Sequence, residues 1–131
     1  MSVRVGIDLC AVASVERTLA AAHGKRYLER VYTEREVEDC RTQAGLDPER
    51  LGARFAAKEA TLKVLAAGDE GLSLREIEVR REASGRVEVE LTGRAAELAE
   101  SAGIDELSLS LTHEEGFAAA VVVATGRDER R

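Results

Sequence analysis

Glu59 and Lys63 stand four residues apart in Arg54-Phe55-Ala56-Ala57-Lys58-Glu59-Ala60-Thr61-Leu62-Lys63, a segment with helical periodicity. On a helix that spacing places the two side chains one turn apart, where they project to the same place. Asp8 raises a related question. It interrupts an apolar run from Val3 to Cys10, and an unpaired carboxylate inside a buried strand is costly. His113 lies where an alternating strand gives way to a glycine turn. Two carboxylates are hard oxygen donors suited to Mg²⁺, whose shell waters or phosphate oxygens complete. Lys63 and Arg54 would then suit a phosphate-bearing substrate. Each residue also has an ordinary reading. Glu four residues before Lys is a common surface pair, worth only about 0.3–0.5 kcal/mol. Asp8 at a strand end near water needs no partner, and a lone His near a turn is commonly structural.

The elements that must position these residues follow from pattern. A helix is expected from about Asp47 to Ala67, with Asp47 as its cap, Pro48 in its first turn and Gly68 as its stop. Leu51, Phe55, Leu62 and Leu65 form an apolar stripe on it, and Lys58 sits where that stripe would want another hydrophobe. Ala53, Ala56, Ala57 and Ala60 leave room for something to approach the helix backbone closely. Val3 to Cys10 reads as a buried strand. Ser14 to Ala22 reads as a helix capped by Ser14 and broken by Gly24, with a short second helix from Lys25 to Val31. Thr33 and Glu36 fit a capping box that opens a helix ending before Gly45.

After Gly71 the period changes. Leu74 to Val79 and Val87 to Leu91 flank a Ser84-Gly85 turn and predict an antiparallel hairpin. Thr92 is placed to cap a helix from Gly93 to Ser101, ended by Gly103. Leu107 to Leu111 alternates as a strand, Thr112 to Gly116 reads as a tight turn, and Phe117 to Ala124 is apolar enough to be central. Residues 126–131 read as a charged, frayed tail. With no repeat or linker, the chain is expected to be one α+β domain over residues 1–131.

Composition narrows the function. The chain has 131 residues and 44% hydrophobic residues, enough for one modest core. Its net charge of −6 argues against non-specific nucleic-acid binding, and 3% aromatics leave little for base stacking. No run is long enough to span a membrane and no signal peptide is evident, so a cytoplasmic location is expected. Cys10 and Cys40 fit neither a metal cluster nor a disulfide framework and read as buried thiols. Arg17, Lys25, Arg26 and Arg30 face only Glu16 and Glu29, a local basic excess that would attract an acidic partner. There is no Walker motif, no G-x-G-x-x-G, and no Ser/His/Asp or Cys/His order.

Three segments together resemble a known family. Gly6-Ile7-Asp8-Leu9, Arg54-Phe55-Ala56-Ala57-Lys58-Glu59-Ala60 and Leu109-Ser110-Leu111-Thr112-His113 resemble the three motifs of the phosphopantetheinyl transferases, in the order and at the short length of the holo-acyl-carrier-protein synthase type. The middle motif is highly specific, and the order and spacing of the others reinforce it. The resemblance implies a small domain with an antiparallel sheet packed on a long helix, assembling as a homotrimer. It implies Mg²⁺-dependent transfer of 4′-phosphopantetheine from coenzyme A to a serine of an apo acyl carrier protein, releasing 3′,5′-ADP. By position, Asp8 and Glu59 would be metal ligands, Lys63 would contact the transferring phosphate, and Arg54 and His113 would help hold coenzyme A. Glu59, directly or through a metal-bound water, would take the serine proton. Arg17 and Arg26 would dock the carrier.

Three positions depart from the family pattern. Ala11 stands where an acid is frequent, Ser14 where an Arg is, and Thr112 where a Ser precedes the His. Arg17, one turn beyond Ser14, is placed to substitute for the missing Arg. A non-catalytic carrier-binding module of the same fold is the main alternative, and an unrelated metal-dependent phosphotransferase or hydrolase a weaker one. Retention of Asp8, Glu59, Lys63 and His113 as a set favours the enzyme.

Overall fold

A computed structural model describes residues 1–68 and 71–127, and its axis is an 18-residue helix, α4 (Pro48–Leu65). The Asp47 side chain accepts from the backbone N–H of Glu49 at 2.9 Å and of Arg50 at 3.5 Å, and Pro48 follows in the first turn. Both serve donors or positions that a helix start leaves without partners. The helix ends at Ala66, which turns left-handed at φ 54° and donates to Leu62 and Lys63 carbonyls. That is slightly short of the predicted end. Along one side, Gly52, Ala56 and Ala60 recur every four residues and give a shallow groove for a sheet.

The sheet is three-stranded, in the order β1 (Ser2–Ala11), β7 (Phe117–Gly126), β6 (Ile104–Glu114), all antiparallel. The apolar strand is central, as its composition predicts. Residues Ala118, Ala120, Val122 and Ala124 turn towards α4 and are buried. Their cross-strand partners share that face: Gly6 opposes Val122, Asp8 opposes Ala120, and Cys10 opposes Ala118, which is flanked by His113 on the other side. The first strand is not buried as expected. Val3, Val5, Ile7 and Leu9 are 58%, 63%, 64% and 64% exposed. β1 is an edge strand, and strand alternation sends its four aliphatic side chains to a face that nothing in this chain covers.

The remaining elements close the other side of α4. α1 (Val12–Ala20) follows β1 directly and α2 (Gly24–Val31) follows a short turn. Ser14 therefore lies inside α1 and does not cap it, and Gly24 begins α2 where a break was expected. The capping box at Thr33 is formed, opening α3 (Glu34–Asp39). A small hairpin of β2 (Arg41–Thr42) and β3 (Gly45–Leu46), not anticipated, leads into α4. A 3-10 turn (Leu74–Glu76) begins the predicted hairpin of β4 (Ile77–Arg81) and β5 (Val87–Leu91). α5 (Gly93–Ser101) has the predicted span, but Thr92 makes no side-chain cap; Glu76 accepts from Ala95 N–H at 3.1 Å instead. His113 is part of β6, and the turn is only Glu115–Gly116. Gly126 still belongs to β7; residues 128–131 of the expected tail lie outside those described. Cys10 and Cys40 are buried free thiols. No described helix is long and apolar enough to cross a membrane.

Lys58, the misfit in the apolar stripe, is fully buried and paired with Glu36 of α3, also fully buried, at 2.8 Å. Its ammonium also donates to the carbonyls of Leu74 (2.9 Å) and Ile77. Glu36 accepts from Thr33 N–H at 2.9 Å and from Val79 N–H at 2.7 Å. Burial pulls the Lys58 pKa down, and the Glu36 carboxylate opposes that pull. Such a pair contributes little relative to a hydrophobic substitute, yet removing one member strands the other charge. Lys58→Met is expected to cost about 3–5 kcal/mol in urea unfolding. Adding Glu36→Gln to it should cost less than the sum of the single changes. Strict additivity of the two changes would show that the pair is not coupled.

Candidate active site

The α4-facing residues of β1 are Arg4, Gly6, Asp8 and Cys10, and three of them tie the strand to the helix. Arg4 donates to the Val64 carbonyl at 3.0 Å. Gly6 lies against the Ala60 backbone. Beside Asp8, Lys63 donates from Nζ to the Ile7 carbonyl at 2.7 Å and stands 3.4 Å from Asp8 Oδ1. Glu59, one turn before Lys63 and half-buried, joins the group. Desolvation raises its pKa, the Asp8 charge raises it further, and Lys63 offsets part of the rise. Three sequence-predicted residues, Asp8, Glu59 and Lys63, thus share one electrostatic neighbourhood.

Two carboxylates against one ammonium leave a net negative charge, and Glu59 is destabilised in its ionised form. The donor set is all oxygen. Both features fit a hard divalent cation with most of its shell left for water or phosphate. Among the described residues no group of three or more His, Cys, Asp or Glu forms a fuller metal cage.

The same chain keeps His113 apart from this cluster. Its Nδ1 is 3.6 Å from Glu49 Oε2, at the first turn of α4, and the ring is exposed. At 1.5 Å per residue, roughly 15 Å of helix separates Glu49 from Glu59. Arg54 is 1% exposed. Its Nη1 donates to the Arg50 carbonyl at 3.4 Å and its Nη2 is 4.0 Å from Asp39 Oδ2. Arg54 Nε and Nη2 and Asp39 Oδ2 are buried with no hydrogen-bond partner among the described residues. Arg54, expected to help hold coenzyme A, is thus enclosed in this structure.

The match to known proteins agrees with this geometry. A model of the 4′-phosphopantetheinyl transferase superfamily matches residues 4–122. The chain belongs to that superfamily. It is 40% identical to a holo-[acyl-carrier-protein] synthase of Gloeobacter violaceus, over 94% of this chain and 92% of that protein. It is 41% identical to one of Chloroflexus aurantiacus, over 91% and 95%. Its fold superposes on the ACPS–CoA complex of Chronobacterium ammoniagenes with a TM-score of 0.85, at 30% identity, covering 98% of this chain and all of that one. The Helicobacter pylori holo-[acyl-carrier-protein] synthase in complex with coenzyme A gives 0.80, at 28% identity, covering 93% and all of that chain.

On the transferase surface, Arg17 of α1 and Arg26 of α2 are both exposed. Arg17 Nη2 donates to Ser14 Oγ at 3.2 Å, so its guanidinium reaches back over the position where the family pattern carries an Arg. Arg26 lines a cavity of about 240 Å³ with His23, Tyr27, Arg30 and Val31. Two further residues matter to the site beyond what their sequence context signals: Gly6, a strand interruption and motif residue, and Glu36, half of a capping box. The room left by Ala60 was the signal for the first, and the stray Lys58 was the signal for the second.

The raised Glu59 pKa has a definite sign. Its folded-state penalty is present above the folded pKa and vanishes as pH falls below the unfolded value. Without metal, Glu59→Gln should therefore melt higher than the parent at neutral pH, with the gain shrinking as pH falls through the carboxylate range. Asp8→Asn should lower the Glu59 pKa, read from its side-chain carbon resonance in an NMR titration. An unmoved resonance midpoint in Asp8→Asn would separate the two carboxylates electrostatically.

Proposed function

We propose that this transferase moves the 4′-phosphopantetheine group of coenzyme A onto a serine hydroxyl of an apo acyl carrier protein, using Mg²⁺ held by Asp8 and Glu59. The observation that carries the reading is the grouping of Asp8, Glu59 and Lys63 at the β1–α4 crossing of a chain with this family membership. Bound there, the cation supplies charge neutralisation at the pyrophosphate and at the transition state. The serine oxygen forms a new bond to the phosphorus that carries the pantetheine arm. The bond from that phosphorus to the bridging oxygen breaks, and 3′,5′-ADP leaves with the electron pair. Lys63 has three N–H donors, one on Ile7 O and one towards Asp8, and the third is available to a phosphate oxygen. Glu59 takes the serine proton. The carrier is acidic, and Arg17 and Arg26 give it a basic face on an otherwise acidic enzyme. Two buried, unpaired thiols accord with a cytoplasmic location.

The active form in this reading is a homotrimer. The outer face of β1 and β7, with Val3, Val5, Ile7 and Leu9 exposed beside Phe117, is a continuous apolar surface on a small domain. His113 lies far from Glu59 within one chain, so a site that uses both residues takes them from two chains.

Incubation with coenzyme A, Mg²⁺ and an apo carrier should add one phosphopantetheine to the carrier mass. Glu59→Gln should cut transfer by at least 10²-fold while the protein stays folded, since a general base alone is worth about 10²–10⁴-fold. Glu59→Gln chains mixed with inactive His113→Ala chains under exchange conditions should regain activity, because some mixed sites carry neither change. Sedimentation equilibrium gives the size: an active monomer overturns the trimer, and a trimer without rescue overturns only the division of residues.

Charge reversal tests the docking face. Arg17→Glu with Arg26→Glu should raise the carrier KM and flatten its dependence on salt, with coenzyme A affinity unchanged. A carrier KM equal to that of the parent places docking elsewhere.

A further inference from the structure

The two carboxylate-bearing elements meet backbone to backbone at Gly6 and Ala60. Gly6 and Asp8 are successive α4-facing residues of β1, so the strand's approach at Gly6 governs where Asp8 stands. A Cβ built on Gly6 falls 2.2 Å from the Ala60 carbonyl oxygen, 3.1 Å from its carbonyl carbon and 3.2 Å from Val64 Cγ1. The first of these is a backbone atom of a helix and has no rotamer through which to escape. Gly6 has an ordinary φ, so the left-handed freedom of glycine is not the reason for its presence. The neighbours agree. Ala60 offers the sheet only a methyl group, and Lys63, three residues on, donates to Ile7 O, between Gly6 and Asp8. Arg4 closes the other flank on Val64 O.

We infer that Gly6 is a positioning residue: its missing side chain lets β1 lie backbone-to-backbone on α4 at Ala60, and this contact brings the Asp8 carboxylate within reach of Glu59 and Lys63. A methyl group at Gly6 lifts β1 by about 1 Å, a misplacement that typically costs about 10²-fold in rate. It acts through Asp8 and touches neither substrate nor metal. The inference rests on the proposed role of Asp8 and Glu59 as the metal pair.

The sheet contains its own control. A Cβ on Gly126 falls 2.0 Å from the Gly103 carbonyl oxygen, an equally hard backbone clash. Gly126 lies on β7 six residues beyond Ala120, about 20 Å along the strand from the level of Asp8. Both Gly6→Ala and Gly126→Ala should lower the melting temperature. With coenzyme A present and no carrier, Mn²⁺ binding followed by electron paramagnetic resonance should weaken at least tenfold in Gly6→Ala and stay within twofold in Gly126→Ala. A crystal structure of Gly6→Ala should show β1 displaced from α4 and Asp8 farther from Lys63. If Gly6→Ala does not fold, Ala60→Ser, which adds one atom to the face of α4 against the sheet, is expected to weaken Mn²⁺ binding in the same direction. Unchanged Mn²⁺ affinity in the folded variant, equal losses in both glycine variants, or an unmoved β1 in the crystal each overturns the positioning role. A parent enzyme that binds no Mn²⁺ overturns the metal reading instead, and the crystal structure then decides the role of Gly6 by itself.

Discussion

The rotation of α4 about its own axis decides what every residue near the site can do, and the Lys58–Glu36 pair anchors the face of α4 turned away from the sheet. Lys58 is locked from four directions: the Glu36 carboxylate, the carbonyls of Leu74 and Ile77, and the Tyr32 ring 5.8 Å away. A neighbouring residue on a helix points about 100° around the axis. With Lys58 held against α3 and β4, Glu59 is directed to the side where β1 passes, and Lys63, one turn on, follows it. The pair also joins segments distant in sequence, since Glu36 accepts from Val79 N–H as well as from its own helix cap. A hydrophobe at position 58 would pack there, but it would specify the angle less sharply than a cation with fixed acceptors.

Sequence reading succeeded where a local pattern had one physical meaning. Asp47 before Pro48, Thr33 before Glu36, and Ser84-Gly85 between alternating strands each predicted the element found. It failed where the deciding partner was remote. The run Val3 to Cys10 is apolar at almost every position, and a single sequence cannot distinguish a strand buried by its own chain from one left for another chain to cover. Glu36 satisfies the capping box with one oxygen, so nothing local revealed that its other oxygen serves Val79. Thr92 has the right type and place for a cap, yet Gly93 is left-handed at φ 55° and the carboxylate of Glu76 accepts from the Ala95 N–H instead. At the site, Asp8, Glu59 and Lys63 were legible from residue type and spacing. The separation of His113 from them was not, because it depends on which end of α4 meets the β6–β7 turn.

The family departures acquire a physical reading from the structure. Ser14 carries no charge, but its hydroxyl accepts a hydrogen bond from Arg17, whose guanidinium stands one turn further along α1. Arg54 shows a contrasting case. A guanidinium with unsatisfied N–H groups 4.0 Å from Asp39 is held in an arrangement that neither a full ion pair nor a full hydrogen-bond set explains.

Two features that would be faults in an isolated domain are complementary here. An exposed aliphatic face on β1 invites association, and two carboxylates stand beside one lysine. Both deficits meet on the same strand: the outward residues Ile7 and Leu9 flank Asp8, which faces inward. In the proposed trimer, covering the outer face of β1 would hold the strand, and with it Asp8, more firmly against α4. A cation held by Asp8 and Glu59, as proposed, would act in the reverse direction, since drawing the two carboxylates together would also hold β1 on α4. In the proposed trimer, assembly and metal affinity would be thermodynamically linked through one strand, each favouring the arrangement the other requires.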